Sequence, residues 1–253
     1  MGMAGESMGM GGESMGMGGQ PDPNTQMEIR GVFTDNWDLG HEITAESWTQ
    51  SGESPSVTTF TVVSNADEFA VGQNAPDHPY SPNLWSRFDW TFDVTGLYYC
   101  QIAYNAADEA TALAADSADV TDLEGGCNEN PWSTLTPATA PEFMGTYTDG
   151  FGPHIVEAGR WVMGEGEDLS YFVFTTVYNE ADYAIAKNDG ANPFFPGLWS
   201  RFEWLDDGDG TFFYCQAPYN GPSADAAHDA VADREDPANA GCGMFSWSTL
   251  SAP

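Results

Sequence analysis

Cations are scarce in this sequence: only six of its 253 residues are Lys or Arg, against 39 Asp or Glu, and the formal net charge is −33. A chain this anionic repels phosphate backbones and anionic lipid head groups, so we exclude nucleic-acid binding and membrane attachment through a basic surface. A run of 18 apolar residues is also missing, and we expect no transmembrane segment. Apolar residues nevertheless make up 41% of the chain and aromatic residues 13%. This composition predicts a folded protein with an acidic surface.

An internal repeat covers the chain after residue 26. The segment 84–90 (LWSRFDW) returns as 198–204 (LWSRFEW), and 132–135 (WSTL) returns as 247–250. Each copy is long enough to bury a core of its own. We therefore divide the chain into a Met/Gly-rich N-terminal arm and two copies of one β-module: 1–26, 27–137 and 141–253.

Short runs rich in aromatic and β-branched residues, separated by Gly, Asn, Asp and Pro, predict antiparallel strands in each copy. An alanine-rich segment before the last strand, 106–118 and then 223–233, predicts a helix of about three turns. The expected fold class is all-β with one short helix per module, in two tandem antiparallel β-meander modules that each form a small barrel or sandwich. In the first copy the predicted strands are 28–35, 41–49, 57–64, 68–73, 84–92, 97–103 and 131–136.

The four cysteines repeat with the modules, and the two in each module are 27 residues apart. We expect two disulfides, Cys100–Cys127 and Cys215–Cys242, with buried free thiols as the alternative. A CxxC motif is absent, and two thiolates per module are too few for structural zinc. Disulfides form in oxidising compartments, so we expect a secreted protein or one on the outer cell surface. No signal peptide is visible at residue 1, and we expect the sequence to be a mature chain.

Two of the scarce cations have a carboxylate two residues further along a predicted strand. Arg87 precedes Asp89, and Arg201 precedes Glu203. Residues two apart on a strand share a face. The acid changes between the copies while its charge is kept, so we expect structural ion pairs partly buried in the sheet. A ligand-binding arginine is the alternative.

An aspartate, a histidine and a serine recur in both modules, and these are the residue types of a catalytic triad. The spacing contains no nucleophile elbow, and we interpret these residues as turn caps and strand starts. We therefore expect no catalytic residue and no enzyme. The residues concerned are Asp35, His41 and Ser86 in the first copy and Asp149, His154 and Ser200 in the second.

Oxygen ligands suit calcium, and the best candidate site is the acidic turn with Asp206, Asp207 and Asp209. The first copy has DVTG in that place, and a tight acidic turn explains the segment equally well. We therefore expect no cofactor, with Ca²⁺ bound at this turn as the alternative. The nine tryptophans could stack on sugars, but most recur between the copies at alternating positions, which favours core packing.

The arm contains Met-Gly-Met three times on a seven-residue period. Glycine disfavours a helix, so we expect a flexible spacer, with copper(I) binding by the thioethers as an alternative. In an extended chain the methionines would form an adhesive strip able to dock on a neighbouring subunit. The methionines of this possible assembly arm are Met1, Met3, Met8, Met10, Met15 and Met17.

A resemblance to a known type of module rests on several motifs taken together. They are Gly31, Thr34-Asp35, His41 and Trp48; YAIA at 183–186 with Asn188; SRFEW at 200–204; YCQ at 214–216; and Cys242 with SWSTL at 246–250. With these motifs the chain resembles a tandem β-repeat module of bacterial cell-surface lipoproteins, as in spirochaetes and myxobacteria. The resemblance implies a surface location and no particular activity. The chain departs from it by lacking a visible lipobox cysteine, which leaves a lipid anchor open.

These observations together favour an exported, non-enzymatic structural or adhesive surface protein. Its arm would dock on a neighbour and so build a filament or a surface layer. The alternative is a bivalent extracellular binding module for a glycan or for a partner bridged by calcium.

Overall fold

The structure of the protein is a computed structural model that describes residues 27–52, 57–66, 68–206, 208 and 212–253. It is mostly β, with 49% of residues in strands and 8% in helices. Two eight-stranded antiparallel sheets follow one another along the chain, with one short α-helix in each. This confirms the expected all-β fold class. Within the described ranges, no helix is long and apolar enough to cross a membrane.

The first sheet is a closed barrel in which neighbours in sequence are neighbours in space. Its strands are β1 (Gly31–Asp35), β2 (Gly40–Ile43), β3 (Ser47–Ser51), β4 (Val57–Ala66), β5 (Phe69–Asn74), β6 (Trp85–Asp93), β7 (Gly96–Ala106) and β8 (Ser133–Pro137). Its helix is α1 (Glu109–Leu113), between β7 and β8. The barrel closes where β1 pairs with β8, with Phe33 opposite Pro137.

The second sheet repeats this meander and is nearly closed, through a single bridge between Thr148 and Ser251. Its strands are β9 (Gly145–Thr148), β10 (Pro153–Val156), β11 (Arg160–Met163), β12 (Ser170–Tyr178), β13 (Tyr183–Asn188), β14 (Trp199–Asp206), β15 (Phe212–Gln216) and β18 (Ser248–Leu250). Between β15 and β18 lie the helix α2 (Ala224–Asp229) and a small hairpin, β16 (Gly241–Cys242) and β17 (Phe245–Ser246).

Aromatic side chains at alternate strand positions fill both barrels, as expected for strands with one buried face. Trp48 stacks on Phe88 with ring centroids 4.4 Å apart, and Trp161 stacks on Phe202 at 4.6 Å. Seven of the nine tryptophans are buried, which confirms their predicted place in the core. The other two are Trp85, which is half-buried, and Trp37, whose side chain is exposed.

Two details of the predicted elements are wrong. The single strand predicted at 41–49 is a hairpin of β2 and β3, in which Ile43 faces Trp48. The Thr44 hydroxyl accepts hydrogen bonds from the N–H groups of Glu46 and Ser47, and this turn chemistry interrupts the strand.

The helices are also shorter than the three turns predicted, with five residues in α1 and six in α2. Both begin at a side-chain cap, from Asp108 and Ser223. Both end where an arginine of the barrel wall binds backbone carbonyl groups: Arg87 binds those of Leu113 and Ala115, and Arg201 binds that of His228. In a longer helix these carbonyl oxygens would accept hydrogen bonds from the N–H groups of the next turn. Here they accept them from the arginine side chains.

The two barrels contact each other through aromatic and charged side chains. Phe92 of the first barrel meets Trp199 of the second edge to face, with ring centroids 6.1 Å apart. Three cations reinforce this contact, and each has a partner in the other module. The pairs are Arg30 with Asp225, Lys187 with Glu28, and Arg160 Nη1 with the carbonyl oxygen of Val94 at 2.6 Å.

Candidate functional site

Both predicted disulfides are present, and none of the four cysteines is free. Cys100 is bonded to Cys127 with Cα atoms 5.6 Å apart, and Cys215 to Cys242 with Cα atoms 5.5 Å apart. The alternative of buried free thiols is therefore wrong. Each bridge fastens the segment that follows the helix to the barrel wall.

The predicted pair of the first copy is a buried ion pair. Arg87 Nε donates to Asp89 Oδ1 at 2.7 Å, and both residues are at most 5% exposed. Another guanidinium nitrogen, Nη1, donates to the carbonyl oxygens of Leu113 and Ala115, while Asp89 Oδ2 accepts the N–H of Ala118 at 2.9 Å. The pair therefore clamps the helix and the chain after it onto β6.

The second copy adds a cation that the sequence pattern did not indicate. Arg201 Nε donates to Glu203 Oε1 at 2.8 Å, and Arg234 Nε donates to Glu203 Oε2 at 2.9 Å. Arg234 Nη1 also donates to Asp182 Oδ2 at 2.9 Å. Glu203 is fully buried and thus shared between two guanidinium groups. With the contacts between the barrels, all six Lys and Arg side chains have carboxylate partners within the chain.

The recurring aspartate and histidine form part of a buried hydrogen-bond network in each barrel. Asp35 Oδ1 accepts the N–H groups of Trp37 and Leu39, which confirms its predicted role as a turn cap. Its Oδ2 lies 3.2 Å from His41 Nε2 and accepts the hydroxyl of Tyr99 at 2.9 Å. Burial lowers the pKa of His41, although Asp35 acts in the opposite direction. Burial also raises the pKa of Tyr99, so both groups are uncharged at neutral pH.

The tryptophan of this network determines the histidine tautomer. Trp48 Nε1 lies 3.0 Å from His41 Nδ1, and an indole nitrogen can only donate. His41 Nδ1 must therefore accept, so the proton is on Nε2 and points to Asp35. The second barrel has the same bond, from Trp161 Nε1 to His154 Nδ1 at 3.1 Å. Both nitrogens of each histidine are occupied, which leaves neither available as a general base.

Asp149 takes the place of Asp35 in the second barrel. Its Oδ1 accepts the N–H groups of Phe151 and Gly152, and its Oδ2 accepts the Tyr214 hydroxyl at 2.8 Å. Burial opposes ionisation of Asp149, but these hydrogen bonds and the nearby His154 outweigh it and lower the pKa of the carboxyl group. The network is thus held by an ionised carboxylate.

The serines of the supposed triads belong to a different network. Ser86 Oγ donates to Asn74 Oδ1 at 2.7 Å, and Ser200 Oγ donates to Asn188 Oδ1 at 2.6 Å. A glutamine completes each set, because Gln216 Nε2 donates to Ser200 Oγ at 2.9 Å and Gln101 is placed likewise. The hydroxyls therefore bond to amides and not to the histidines, so no triad is assembled.

These two networks lie beneath one open end of each barrel, which we call its mouth. The mouth of the second barrel holds a cavity of about 650 Å³. Polar and aromatic side chains share its wall. The polar ones are Asp149, His154, Asp168, Ser170, Asn188, Tyr214 and Gln216. The aromatic residues of this mouth are Phe151, Phe172, Phe194, Phe195 and Tyr219.

The rim of the second mouth is unusually apolar for such an acidic protein. Phe151 is 93% exposed and Met244 is 91% exposed. Phe194 and Phe245 are also exposed, and Phe245 and Met244 line an adjoining cavity that shares Phe151 and Tyr219 with the mouth. The apolar rim therefore continues from the mouth onto the disulfide-bonded hairpin.

Phe195 holds a strained backbone conformation on this rim. Its φ is +52°, a left-handed value that is rare for a bulky side chain. Asn188 Nδ2 donates to the carbonyl oxygens of Phe195 and Tyr219, each at 3.0 Å, and so holds both rim residues in place. Strain of this kind costs about 1–3 kcal/mol and is typical of sites that bind ligands.

The first barrel has a smaller mouth at the same end. Its cavity is about 240 Å³, with Gln50, His78 and Gln101 in its wall. Tyr80, which is 89% exposed, and Tyr104 line it. Trp37 lies in the turn whose Leu39 lines the same cavity.

Three exposed aromatic positions recur in the two barrels, and two of them line both mouths. They occur in matching motifs, TDNW and TDGF, HPYSP and NPFFP, and YCQIAY and YCQAPY. Among the described residues nine aromatic side chains are exposed, and all but Trp37 and Tyr178 line the mouths or the adjoining cavity. The paired positions are Trp37 and Phe151, Tyr80 and Phe194, and Tyr104 and Tyr219.

The predicted calcium site is only partly within the described residues. Asp206 ends β14, and its Oδ1 accepts the N–H of Gly208 at 2.7 Å, which is the geometry of an acidic turn. Asp207 and Asp209 lie outside the described residues, as do the six methionines of the arm. In the part of the chain that the structure describes, no three His, Cys, Asp or Glu side chains are grouped as metal ligands.

The fold and the site together define a tandem two-barrel protein with aromatic mouths. Comparisons with protein-family models, with curated proteins and with solved structures found no match. The functional interpretation therefore rests on the geometry of this chain.

Proposed function

We propose that the protein is an exported, non-enzymatic binding protein that is bivalent because each barrel mouth binds one ligand. The observation that carries this proposal is the repetition of exposed aromatic side chains at the two mouths, Tyr80 and Tyr104 in the first and Phe194 and Tyr219 in the second. Exposed aromatics have no packing role to preserve them in both copies of a duplicated module. Concave sites with aromatic walls and a few convergent polar groups are typical of small-ligand binding.

The ligand class that fits these mouths is a neutral glycan. Flat aromatic faces can stack on the C–H faces of sugar rings, and the glutamine amides below can bond to sugar hydroxyls. A net charge of −33, with all six cations engaged internally, disfavours anionic glycans. The two disulfides support an oxidising, non-cytoplasmic location for such a protein.

The non-enzymatic part of the proposal is supported by the hydrogen bonds of the buried networks. Each histidine has a carboxylate on one nitrogen and an indole N–H on the other. The serines are bonded to asparagines. Proton transfer to a ligand would first require one of these buried networks to be broken.

The test is a screen of immobilised neutral and acidic glycans, followed by calorimetry with a monovalent form of any glycan that binds. We expect two sites per chain, and one site after either Tyr80→Ala or Phe151→Ala. On a dense glycan surface each single variant should lose about 10²–10⁴-fold in avidity. Tyr178→Ala is the matched control, because it removes an exposed aromatic away from the mouths.

Two outcomes would contradict the proposal. Absence of binding to any neutral glycan would remove the ligand class. An equal loss of binding in Tyr178→Ala would show that the mouths are not the site.

Assembly through the arm is the second candidate function, and one observation favours it. The second mouth adds Phe195, Met244 and Phe245 to the aromatics shared with the first, which gives it an apolar rim suited to a protein segment. In that case the arm of one molecule would dock on the next and form an open filament. Size-exclusion chromatography and electron microscopy, with and without residues 1–26, test this candidate.

A further inference from the structure

The second mouth presents an apolar surface on a protein with a net charge of −33. Its rim contains Phe151, Phe194, Met244 and Phe245, all exposed, and the strained Phe195. A surface of this kind marks a contact with an apolar partner. Its occupant must carry little negative charge, since an acidic partner would be repelled by the surrounding carboxylates.

Residues 1–26 have the composition that this surface requires. They contain six methionines, three acidic residues and no Lys or Arg, whereas the whole chain has 39 acidic residues. Thioether groups pack favourably against the edges of aromatic rings, and methionine adapts its shape to irregular surfaces. No segment of this length in the rest of the sequence contains as many methionines.

The described chain begins at a cleft that adjoins the loop carrying part of the apolar rim. Met27 and Glu28 line a cleft of about 770 Å³ between the barrels. Gly190 and Gly197 line the opposite side of that cleft, in the loop between β13 and β14. The same loop carries Phe194 and Phe195, which line the second mouth. One loop therefore separates the start of the described chain from the apolar rim.

The chain length between the arm methionines and Met27 sets how far they can reach. Met17 is ten residues before Met27, and residues 18–26 (GGQPDPNTQ) include two prolines. A fully extended chain of that length reaches about 33–36 Å. The first mouth lacks an equivalent apolar extension, because Asn128 and Glu129 stand where the second has Gly243 and Met244.

We propose that residues 1–26 dock in cis on the apolar rim of the second mouth, with their methionines against Phe151, Phe194 and Phe245. The first mouth then stays open, and a ligand enters the second mouth only by displacing the segment, which weakens binding at that site without abolishing it. Tethering gives the segment an effective concentration in the millimolar range. With an intrinsic dissociation constant on the order of 0.1 mM, about nine tenths of the chains would be docked.

Methionine oxidation measures this docking without any glycan, so its result is separate from the binding proposal above. The full chain is pulsed with dilute hydrogen peroxide, and the sulfoxide at each methionine is quantified by mass spectrometry. Met144, which is 52% exposed and does not line the mouth, is the internal reference. We expect the arm methionines to oxidise about tenfold more slowly than in the free peptide 1–26, as a nine-tenths docked fraction requires.

Matched variants assign the protection to one mouth. Phe194→Ala should raise the oxidation rate of the arm several-fold, whereas Tyr80→Ala, at the equivalent position of the first mouth, should leave it unchanged. Deletion of residues 1–26 should raise the oxidation of Met244, which the docked arm covers. Both replaced side chains are exposed, so both variants should fold.

Three outcomes would overturn the proposal. The arm methionines could oxidise as fast as the free peptide, or Tyr80→Ala could release them as fully as Phe194→Ala. Protection that disappears on dilution would place the arm on a neighbouring molecule and support assembly instead. Protection that is independent of concentration and sensitive to Phe194 supports docking in cis.

Discussion

Replacing Arg87 with Met should destabilise the first barrel more than Arg201→Met destabilises the second. In Arg87→Met the Asp89 carboxylate, 4% exposed, keeps only the N–H of Ala118. Removal of one partner from a buried ion pair costs about 3–5 kcal/mol. In Arg201→Met the buried Glu203 keeps Arg234 at 2.9 Å, so the loss should be about 1–3 kcal/mol, the value of charged hydrogen bonds.

Hydrogen exchange followed by mass spectrometry can measure the two barrels separately in one chain. Peptides from β6 and β7 report on the first barrel, and peptides from β14 and β15 report on the second. A difference of about 2 kcal/mol corresponds to about a 30-fold difference in the opening constant. Adding Arg234→Met to Arg201→Met should remove this advantage and bring the second barrel to the level of Arg87→Met.

The reasoning is refuted if Arg201→Met opens its barrel as readily as Arg87→Met opens the first. It is equally refuted if the added loss of Arg234 changes nothing in the second barrel. Either result would mean that Glu203 does not depend on a second cation for its stability in the core.

Three further predictions concern stability. Removing the bridge by Cys100→Ser with Cys127→Ser should cost about 3–4 kcal/mol, from closure of a loop of this size, and urea denaturation measures it. Burial lowers the pKa of His41 and His154 below 6.5, so below that pH the unfolded chain takes up protons that the folded chain does not. Stability should therefore fall between about pH 7 and pH 5, by at most about 1.4 kcal/mol per pH unit for each histidine, and His41→Gln with His154→Gln should lessen the fall. Because the surface is so anionic, the melting temperature should rise between about 10 mM and 1 M NaCl.

Each of these has a contradicting result. An unchanged urea midpoint in the double serine variant would make the bridge energetically irrelevant. A stability profile with the same slope after both histidine replacements would assign the pH dependence to other groups. A melting temperature that falls with salt would show that internal ion pairs outweigh surface repulsion.

The duplication made much of this fold predictable. A residue type that is retained in both copies is one that the fold of the module requires. The disulfides, the Arg87 and Arg201 pairs and the core tryptophans could therefore be inferred from spacing and alternation. Arg234 could not be predicted in this way, because it has no counterpart in the first copy and meets Glu203 from 31 residues away. The turn at Thr44 was also missed, since it contains no Gly, Pro, Asn or Asp.

The mouths were missed for a different reason. Periodicity identifies residues that alternate within strands, whereas Trp37, Tyr80 and Tyr104 and their counterparts lie in turns or at strand ends. Their signal was repetition in loop motifs, where packing does not demand an aromatic residue. The cavities depend on how eight strands close, which is a property of long-range pairing that no local pattern contains.

The engagement of every cation has a consequence for digestion by proteases. Trypsin-like enzymes cut after Lys or Arg, and the side chain must leave the protein and enter a pocket of the enzyme. Here each of the six is held by a carboxylate of the same chain, and Arg87 and Arg201 are nearly inaccessible. Cleavage would have to wait for a local opening that breaks such a pair. The folded protein would therefore persist among trypsin-like proteases for about as long as its barrels stay closed.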